Sequence, residues 1–373
     1  MSAARFGICL IKYPFLESGY FFVLQEEVMK KKQKTMGIIV MVLVCVATIG
    51  IWCESNASRE PSSVEVIASQ ASASGTAVST KDEVATESVE LTWGKKCTSV
   101  KAGSKVTLSV KNQGKPVKAS KISWQVTNSQ CATINGKGVL RGIRVGTVTV
   151  KAMYEKASLQ CKIKIKPKQI IGIDPGHQQQ GDSGLEPVGP GASAKKPKVA
   201  GGTCGVSSGC PEYKFTLRVG KKLKKELESR GYQVVMTRTK NNVSISNKER
   251  AQKINKSGAD IYVRLHGDGG ASSARGASGL YPSSGNPYVG NLSSKSRKLS
   301  QCIMDAYCKS TGIPNRGIVQ RDDLSGTNWS KVPVSLIELG FMTNMQDDRY
   351  MQSTEGQKAM VEGIADGIDA YYK

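Results

Sequence analysis

The sequence predicts two folded regions in tandem: an all-β sandwich over residues 89–168, then an α/β domain over 169–373, a mostly parallel sheet with helices on both faces. Three observations predict this. Between 89 and 168, short segments alternate polar and apolar residues with period two and are punctuated by Gly, Asn and Lys turns, the pattern of half-buried strands. From residue 169 onward, short apolar runs alternate with stretches whose apolar residues recur every three or four positions, as in sheets covered by amphipathic helices. Ahead of both lies a Ser-, Ala- and Thr-rich stretch, 54–88, with almost no large apolar residues; it cannot bury a core and reads as a flexible linker.

The chain has 373 residues, enough for two domains and tails. Its formal charge of +23 and pI of about 9.6 point to a polyanionic neighbour such as nucleic acid, anionic lipid or an acidic envelope polymer, with a merely solvated basic surface as the alternative. Aromatic residues make up only 6%. There is no Arg-rich recognition helix, zinc-finger spacing or stacking aromatic cluster, which argues against nucleic acid and keeps anionic wall polymers as candidate partners.

The compartment is read from "MKKKQKTMGIIVMVLVCVATIGIWC", which starts at Met29 with Lys30, Lys31, Lys32 and Lys34 and is apolar from Met36 to Cys53. A basic segment before an apolar run long enough to cross a hydrocarbon core of about 30 Å marks residues 29–53 as a signal peptide or membrane anchor. Export to the envelope or the exterior follows, with membrane contact through this segment alone. Ser55 and Ala57 offer a small-x-small cleavage site, so cleavage and anchoring both stay open; Gly50-Ile51-Trp52 lacks the small residue expected before a lipidated Cys53. Residues 1–28 form an unassigned leader extension, and Met29 is an alternative start.

In the β region, "SKVTLSV", "KISWQVT", "GTVTVKAMY" and "QCKIKIK" are the strand candidates, with turns at Asn112-Gln113-Gly114 and Asn135-Gly136-Lys137-Gly138. Trp124 and "CATINGKGVLRGIRVGTVTVKA" resemble the bacterial immunoglobulin-like group 2 domain, which implies an Ig-like sandwich. Nothing in it suggests chemistry, and spacer and wall-binding roles both remain open.

In the α/β region, Ile170–Ile173 form the first strand. In "EYKFTLRVGKKLKKELESRG", Phe215, Val219, Leu223 and Leu227 share one face, the lysines lie away from it, and Gly231 is placed to cap the end. "YQVVMTR" is the next strand, "ISNKERAQKINKSG" a helix, and "ADIYVRLH" a third strand. A helix over 294–310, the strand "VPVSLIELG" and a closing helix carrying Met360, Ile364 and Ile368 follow.

These elements bring the chemistry-bearing residues to one rim. The chain has only two histidines. His177 follows the first strand, His266 ends the third, Glu338 ends a later one, and Glu212 opens a helix. Ligands of open α/β sheets bind beyond the carboxyl ends of the strands. Two imidazoles and a carboxylate with a fourth position open are the ligand set of a hydrolytic zinc site, and a second carboxylate can carry the proton. Each residue has a plainer reading too. A histidine after a strand is commonly a turn residue. Glu212 suits a helix N-terminus electrostatically. Glu338, costly in an apolar strand unless paired or used, could pair with Arg264 or Arg250.

Taken in order, "IDPGH", "PEYKFTLRVGKKLKKELESRGYQVVMTR", "SNKERAQKIN", "ADIYVRLHGDG" and "VSLIELGFMTN" resemble the zinc-dependent N-acetylmuramoyl-L-alanine amidases of the type 3 group, across residues 169–373. The resemblance implies one zinc ion held by His177, Glu212 and His266, with Glu338 as the catalytic carboxylate. It implies peptidoglycan as substrate, cut between the lactyl group of muramic acid and L-alanine. Two departures stand out: His-Gly-Asp replaces the His-Ala-Asn or His-Ser-Asp of many relatives, and a long Gly/Pro/Ser/Lys-rich insert, 178–211, separates His177 from Glu212, either a functional loop at the site or a floppy excursion. A zinc peptidase of the wall and a catalytically idle wall-binding protein remain the alternatives. Of the ten cysteines, Cys204 and Cys210 close a small loop before Glu212 and are expected to form a disulfide, with free thiols as the alternative. A Cys97–Cys161 pair is a weaker expectation, and Cys302 and Cys308, six apart on one helix, should not bridge.

Overall fold

The computed structural model describes residues 89–373. The expected signal or anchor (29–53), the leader extension (1–28) and the linker (54–88) lie outside the described residues. Among the described residues, no helix is long and apolar enough to cross a membrane.

Residues 91–166 form ten short strands: β1 (Leu91–Lys95), β2 (Ser99–Lys101), β3 (Lys105–Thr107), β4 (Ser109–Asn112), β5 (Lys115–Pro116), β6 (Ser123–Val126), β7 (Ala132–Ile134), β8 (Val139–Gly142), β9 (Gly146–Tyr154) and β10 (Ala157–Lys166). They make three sheets, in orders β1-β4-β5, β2-β10-β9-β6 and β3-β8-β7. The period-two pattern does what it predicts: Val148, Val150, Cys161, Ile163 and Ile165 point into a core with Leu108 and Leu140, and the intervening residues face out. The Asn112-Gln113-Gly114 turn takes left-handed backbone at both Gln113 and Gly114, as a tight hairpin turn requires.

The second region begins with β11 (Ile170–Pro175), which runs on from β10 after three residues. A hairpin follows, β12 (Asp182–Pro187) with β13 (Lys195–Val199), and then α1 (Glu212–Ser229), β14 (Gln233–Met236), α2 (Asn247–Lys256) and β15 (Ile261–Asp268). The chain closes with β16 (Ala277–Tyr281), α3 (Ser293–Thr311), β17 (Asn315–Gln320), α4 (Ser325–Asn328), β18 (Val334–Phe341), α5 (Met345–Gln352) and α6 (Thr354–Tyr371). Six strands form one sheet in the order β14-β11-β15-β18-β16-β17. The first four are mutually parallel, and direction reverses where β16 meets β18 antiparallel. The expected mostly parallel sheet is found, with the β16–β18 pairing as its one antiparallel exception among five. Strands β16 and β17 carry no strand signature in the sequence, since "ASGLY" and "NRGIVQ" are short and contain glycine.

Helices lie on both faces. Phe215, Val219, Leu223 and Leu227 of α1 share a core with Ile171, Ile173, Leu265, the inner side of α3, and Met360, Ile364 and Ile368 of α6. On the other face, Ala251 and Ile254 of α2 pack with Tyr262, Val334 and Trp329. Gly172 of β11 is needed there, since a Cβ would fall 2.7 Å from Ile254 Cγ2. Helix α2 starts with a full capping box, Ser246 and Glu249 each bonding the other's backbone N–H.

This second face also holds a buried ionic knot. Asp174, fully enclosed at the end of β11, accepts from Arg250 Nη1 at 2.9 Å, Arg264 Nε at 3.1 Å and the Thr237 hydroxyl at 2.5 Å. Burial alone would raise its pKa; the Arg250 and Arg264 guanidiniums and the Thr237 bond overcome this and hold the carboxyl far below the ordinary range. Arg250 and Arg264 thus serve Asp174, and the structural alternative that paired one of them with Glu338 does not hold.

Asp174→Asn should leave two buried guanidiniums without their anion and lower stability by about 3–5 kcal/mol at neutral pH, read as a shifted urea midpoint. Because the folded pKa is depressed, the stabilisation is complete above about pH 5 and drains away as pH falls through the unfolded carboxyl range towards the folded value. The gap between wild type and variant should narrow on acidification; a gap that widened would contradict the ion-pair account.

Candidate metal centre

The turn after β11 starts the site. Arg250 donates to the carbonyls of Pro175 and His177 and to Gln178 Oε1. Arg238 donates to the carbonyls of Pro175, Gly176 and Tyr213. Two buried guanidiniums thereby fix the Asp-Pro-Gly-His turn, in which His177 itself adopts left-handed backbone at φ 58°. Arg238 is pushed down to about 10 by burial and by the neighbouring Arg250.

His177, Glu212 and His266 converge. His177 Nε2 lies 3.1 Å from Glu212 Oε1, His266 Nδ1 lies 3.1 Å from the same oxygen, and the two ring nitrogens are 3.1 Å apart. Such a group can hold a metal ion. Ligand bonds of about 2.0–2.2 Å at near-tetrahedral angles put donor atoms roughly 3.3 Å apart, so this triangle fits zinc. Its outer contacts fit too. His177 Nδ1 meets the Ala200 carbonyl at 2.8 Å, which leaves Nε2 with its lone pair towards the triangle when the ring is neutral. Glu212 accepts from the backbone N–H groups of Gly267 and Thr203 at 3.0 and 2.9 Å. His266 Nε2 is enclosed with no partner among the described residues.

The charges are mutually tuned. For Glu212, burial pushes the pKa up, but hydrogen bonds from both imidazoles outweigh it and keep the group well below the carboxylate range. His177 is held above its ordinary value: burial lowers it, and the bond and charge of Glu212 more than offset that. His266 is pushed down to about 4, by burial first and then by the charge of His177.

Glu338 stands beside this triangle. Its Cα is in register with His266 on β15 and with Ser278 on β16. A bulge follows at once, with β18 running one residue longer than β15 before Phe341 pairs with Asp268. Its Oε2 is enclosed without a hydrogen-bond partner among the described residues. Burial, then the nearby negative charges of Glu212 and Asp268, raise its pKa well above the usual range, against the opposing pull of Arg264 and Arg321.

Sequence reasoning did not single out the groups that hold these four. The insert is one: Ala200 and Thr203 bond His177 and Glu212, and Gly202 packs against both, where a Cβ would lie 2.9 Å from Glu212 Oε2 and from His177 Cγ. Hairpin β12–β13 also walls a cleft of about 210 Å³ beside the triangle, lined by His177, His266, Asn247 and the Lys196–Asp323 ion pair at 2.9 Å. The expected Cys204–Cys210 disulfide is absent. All seven cysteines of the described residues are free thiols, Cys97 and Cys161 included. The 204–210 loop is pinned instead by Asp348, which accepts from the backbone N–H groups of Ser207 and Ser208 and from the Ser208 hydroxyl at 2.8 Å. The glycine of His-Gly-Asp has a steric reason: a Cβ at Gly267 would come within 2.8 Å of Met342 Sδ.

Residues 171–370 match the family model described as N-acetylmuramoyl-L-alanine amidase. The chain belongs to that family. Residues 85–165 match the bacterial Ig-like domain, group 2. The amidase region is 32% identical over 208 residues to the N-acetylmuramoyl-L-alanine amidase Rv3717 of Mycobacterium tuberculosis, covering 52% of this chain and 85% of that one. Among solved structures, the N-acetylmuramyl-L-alanine amidase Ami1 of Mycobacterium smegmatis aligns at a TM-score of 0.51 and 29% identity, over 55% of this chain and 97% of its own. Ami1 of Mycobacterium abscessus aligns equally well, at 0.51 and 28%, over 56% and 100%. The protein is an N-acetylmuramoyl-L-alanine amidase, a hydrolase of cell-wall peptidoglycan.

If the insert holds the ligands as described, Gly202→Ala should cost this amidase about 10–100-fold in metal affinity, the usual penalty for disturbing groups behind a ligand, while far-UV circular dichroism stays unchanged. Undiminished affinity, measured by competition with a chromogenic chelator, would contradict the packing seen at Gly202.

Proposed function

We propose that the chain is an exported peptidoglycan amidase in which His177, Glu212 and His266 hold one zinc ion and Glu338 moves the proton. The observation that carries this reading is the triangle of three donor atoms 3.1 Å apart with a raised-pKa carboxyl in register with one of them. When bound, zinc supplies Lewis-acid polarisation of an amide carbonyl and makes water acidic enough to deprotonate near neutral pH. Glu338 takes a proton from the attacking water and delivers it to the amide nitrogen as the bond between the muramic acid lactyl carbonyl and L-alanine breaks. A carboxyl whose proton affinity is raised by burial suits both halves of that task. Glu212 stays ionised and oriented by Gly267 and Thr203, and the Ala200 carbonyl keeps His177 in one tautomer. Export is supported by the basic-apolar segment 29–53 and by similarity to the probable cell wall amidase LytH of Staphylococcus aureus.

Mass spectrometry of digested peptidoglycan tests the activity. Intact stem peptides with a new L-alanine amino terminus support the amidase, whereas cuts inside the stem would mean a peptidase. Glu338→Gln nearly preserves shape and should keep wild-type zinc content while losing at least about 10²–10⁴-fold in rate. His177→Ala should lose the metal itself. A Glu338→Gln protein that stays active but melts earlier would make Glu338 structural.

A further inference from the structure

The Ig-like region takes no part in the rim, yet it carries most of the charge. Residues 89–168 hold fifteen lysines and two arginines against only Glu90 and Glu155, which is +15 of the chain's +23. Among the described residues, the one ion pair that any of these cations makes is Lys168 with Asp369, at 3.7 Å.

The charge is ordered on the outer face of the β2-β10-β9-β6 sheet. Along β10, exposed Lys162, Lys164 and Lys166 alternate with buried Cys161, Ile163 and Ile165. Two residues of strand advance about 6.8 Å, so three ammonium groups leave the sheet in a straight row at that repeat. Lys101 of β2 is the direct cross-strand partner of Lys166, and Lys151 of β9 is the partner of Gln160. The positions opposite Lys162 and Lys164 on β9 are Thr149 and Thr147. No carboxylate and no aromatic ring lies on this face. Like charges side by side on a sheet cost stability, and mixed signs would serve solubility as well. A uniform row is therefore a poor spacer surface and a good match for a ligand of opposite sign and similar repeat.

We propose that this face docks a linear polyol phosphate polymer, laid along β10 with successive phosphates against Lys162, Lys164 and Lys166 and flanked by Lys101 and Lys151. A glycerol phosphate chain, with three carbons between phosphates, has a charge spacing of the same order as the lysine row. Nucleic acid fits less well, because the face offers neither rings for base stacking nor an element that could enter a groove.

The test uses the full chain and immobilised poly(glycerol phosphate). Wild type should bind, with log K falling linearly as log salt rises. The K162Q/K164Q/K166Q variant should lose about ten-fold or more in affinity at low salt, and its salt slope should be shallower by roughly one to two units, since a polyol phosphate is less densely charged than nucleic acid. Its rate on a small soluble muropeptide should match wild type, which separates this site from the catalytic one. The arginine triple at the same positions should retain binding, and unchanged melting of both excludes misfolding. A control triple, K221Q/K225Q/K295Q, removes equal charge from exposed positions of the amidase region. Equal loss in both glutamine triples would show that net charge alone matters and overturn the proposal. No binding by wild type, or tighter binding of duplex DNA at equal phosphate concentration, would overturn it as well.

Discussion

The turn that brings His177 to the candidate metal centre hangs from one buried carboxylate. Asp174 binds Arg250 and Arg264 at the end of β11, and Arg250 in turn holds the backbone of Pro175 and His177. Buried ion pairs contribute little net stability against an apolar replacement, because desolvation cancels most of the attraction. What this one supplies is position. A left-handed histidine on a turn is an unfavourable conformation for a non-glycine residue, and it persists here because its carbonyl and its neighbours' carbonyls are all gripped by guanidiniums that Asp174 and the fold keep in place.

The two carboxylates of the rim, with seven of the named strands and helices between them in sequence but close in space, show how environment divides one functional group into two behaviours. Glu212 receives four hydrogen-bonding neighbours and is kept ionised. Glu338 has an enclosed oxygen with none among the described residues, and its proton is retained to higher pH. Neither outcome follows from residue type. Glu212 is held by two imidazoles and two backbone N–H groups, one of them from the insert, whereas burial and the charges of Glu212 and Asp268 raise Glu338.

Much of this was legible in the sequence. The four rim residues could be found because strand ends and a helix are marked by strong local patterns: "IIGI" and "DIYVRL" as apolar runs, and the four-residue apolar stripe of α1. The helical stripe Phe215, Val219, Leu223, Leu227 is buried as its spacing demands. What the sequence concealed was long-range pairing. Nothing local says that Arg250 and Arg264 serve Asp174 in place of Glu338, that Asp348 pins the 204–210 loop without a disulfide, or that β16 reverses the sheet. The insert could be read from sequence as a functional loop or as a loose excursion, because its worth lies in backbone groups, Ala200 O and Thr203 N, which side-chain patterns do not report.

The junction between the two regions has a geometric consequence. Gly231, left-handed at φ 90°, packs against Ala102 and Ile143 of the Ig-like domain and accepts the Lys168 N–H, all at the end of the sheet where β11 and β14 begin. His177, His266 and Glu338 sit where the strands end. A six-residue strand is about 20 Å long, so anything held by the β-sandwich and cut at the rim in the same encounter must bridge at least that distance. The molecule has a footprint: a short soluble fragment can meet one end of it, and only an extended polymeric wall can occupy both.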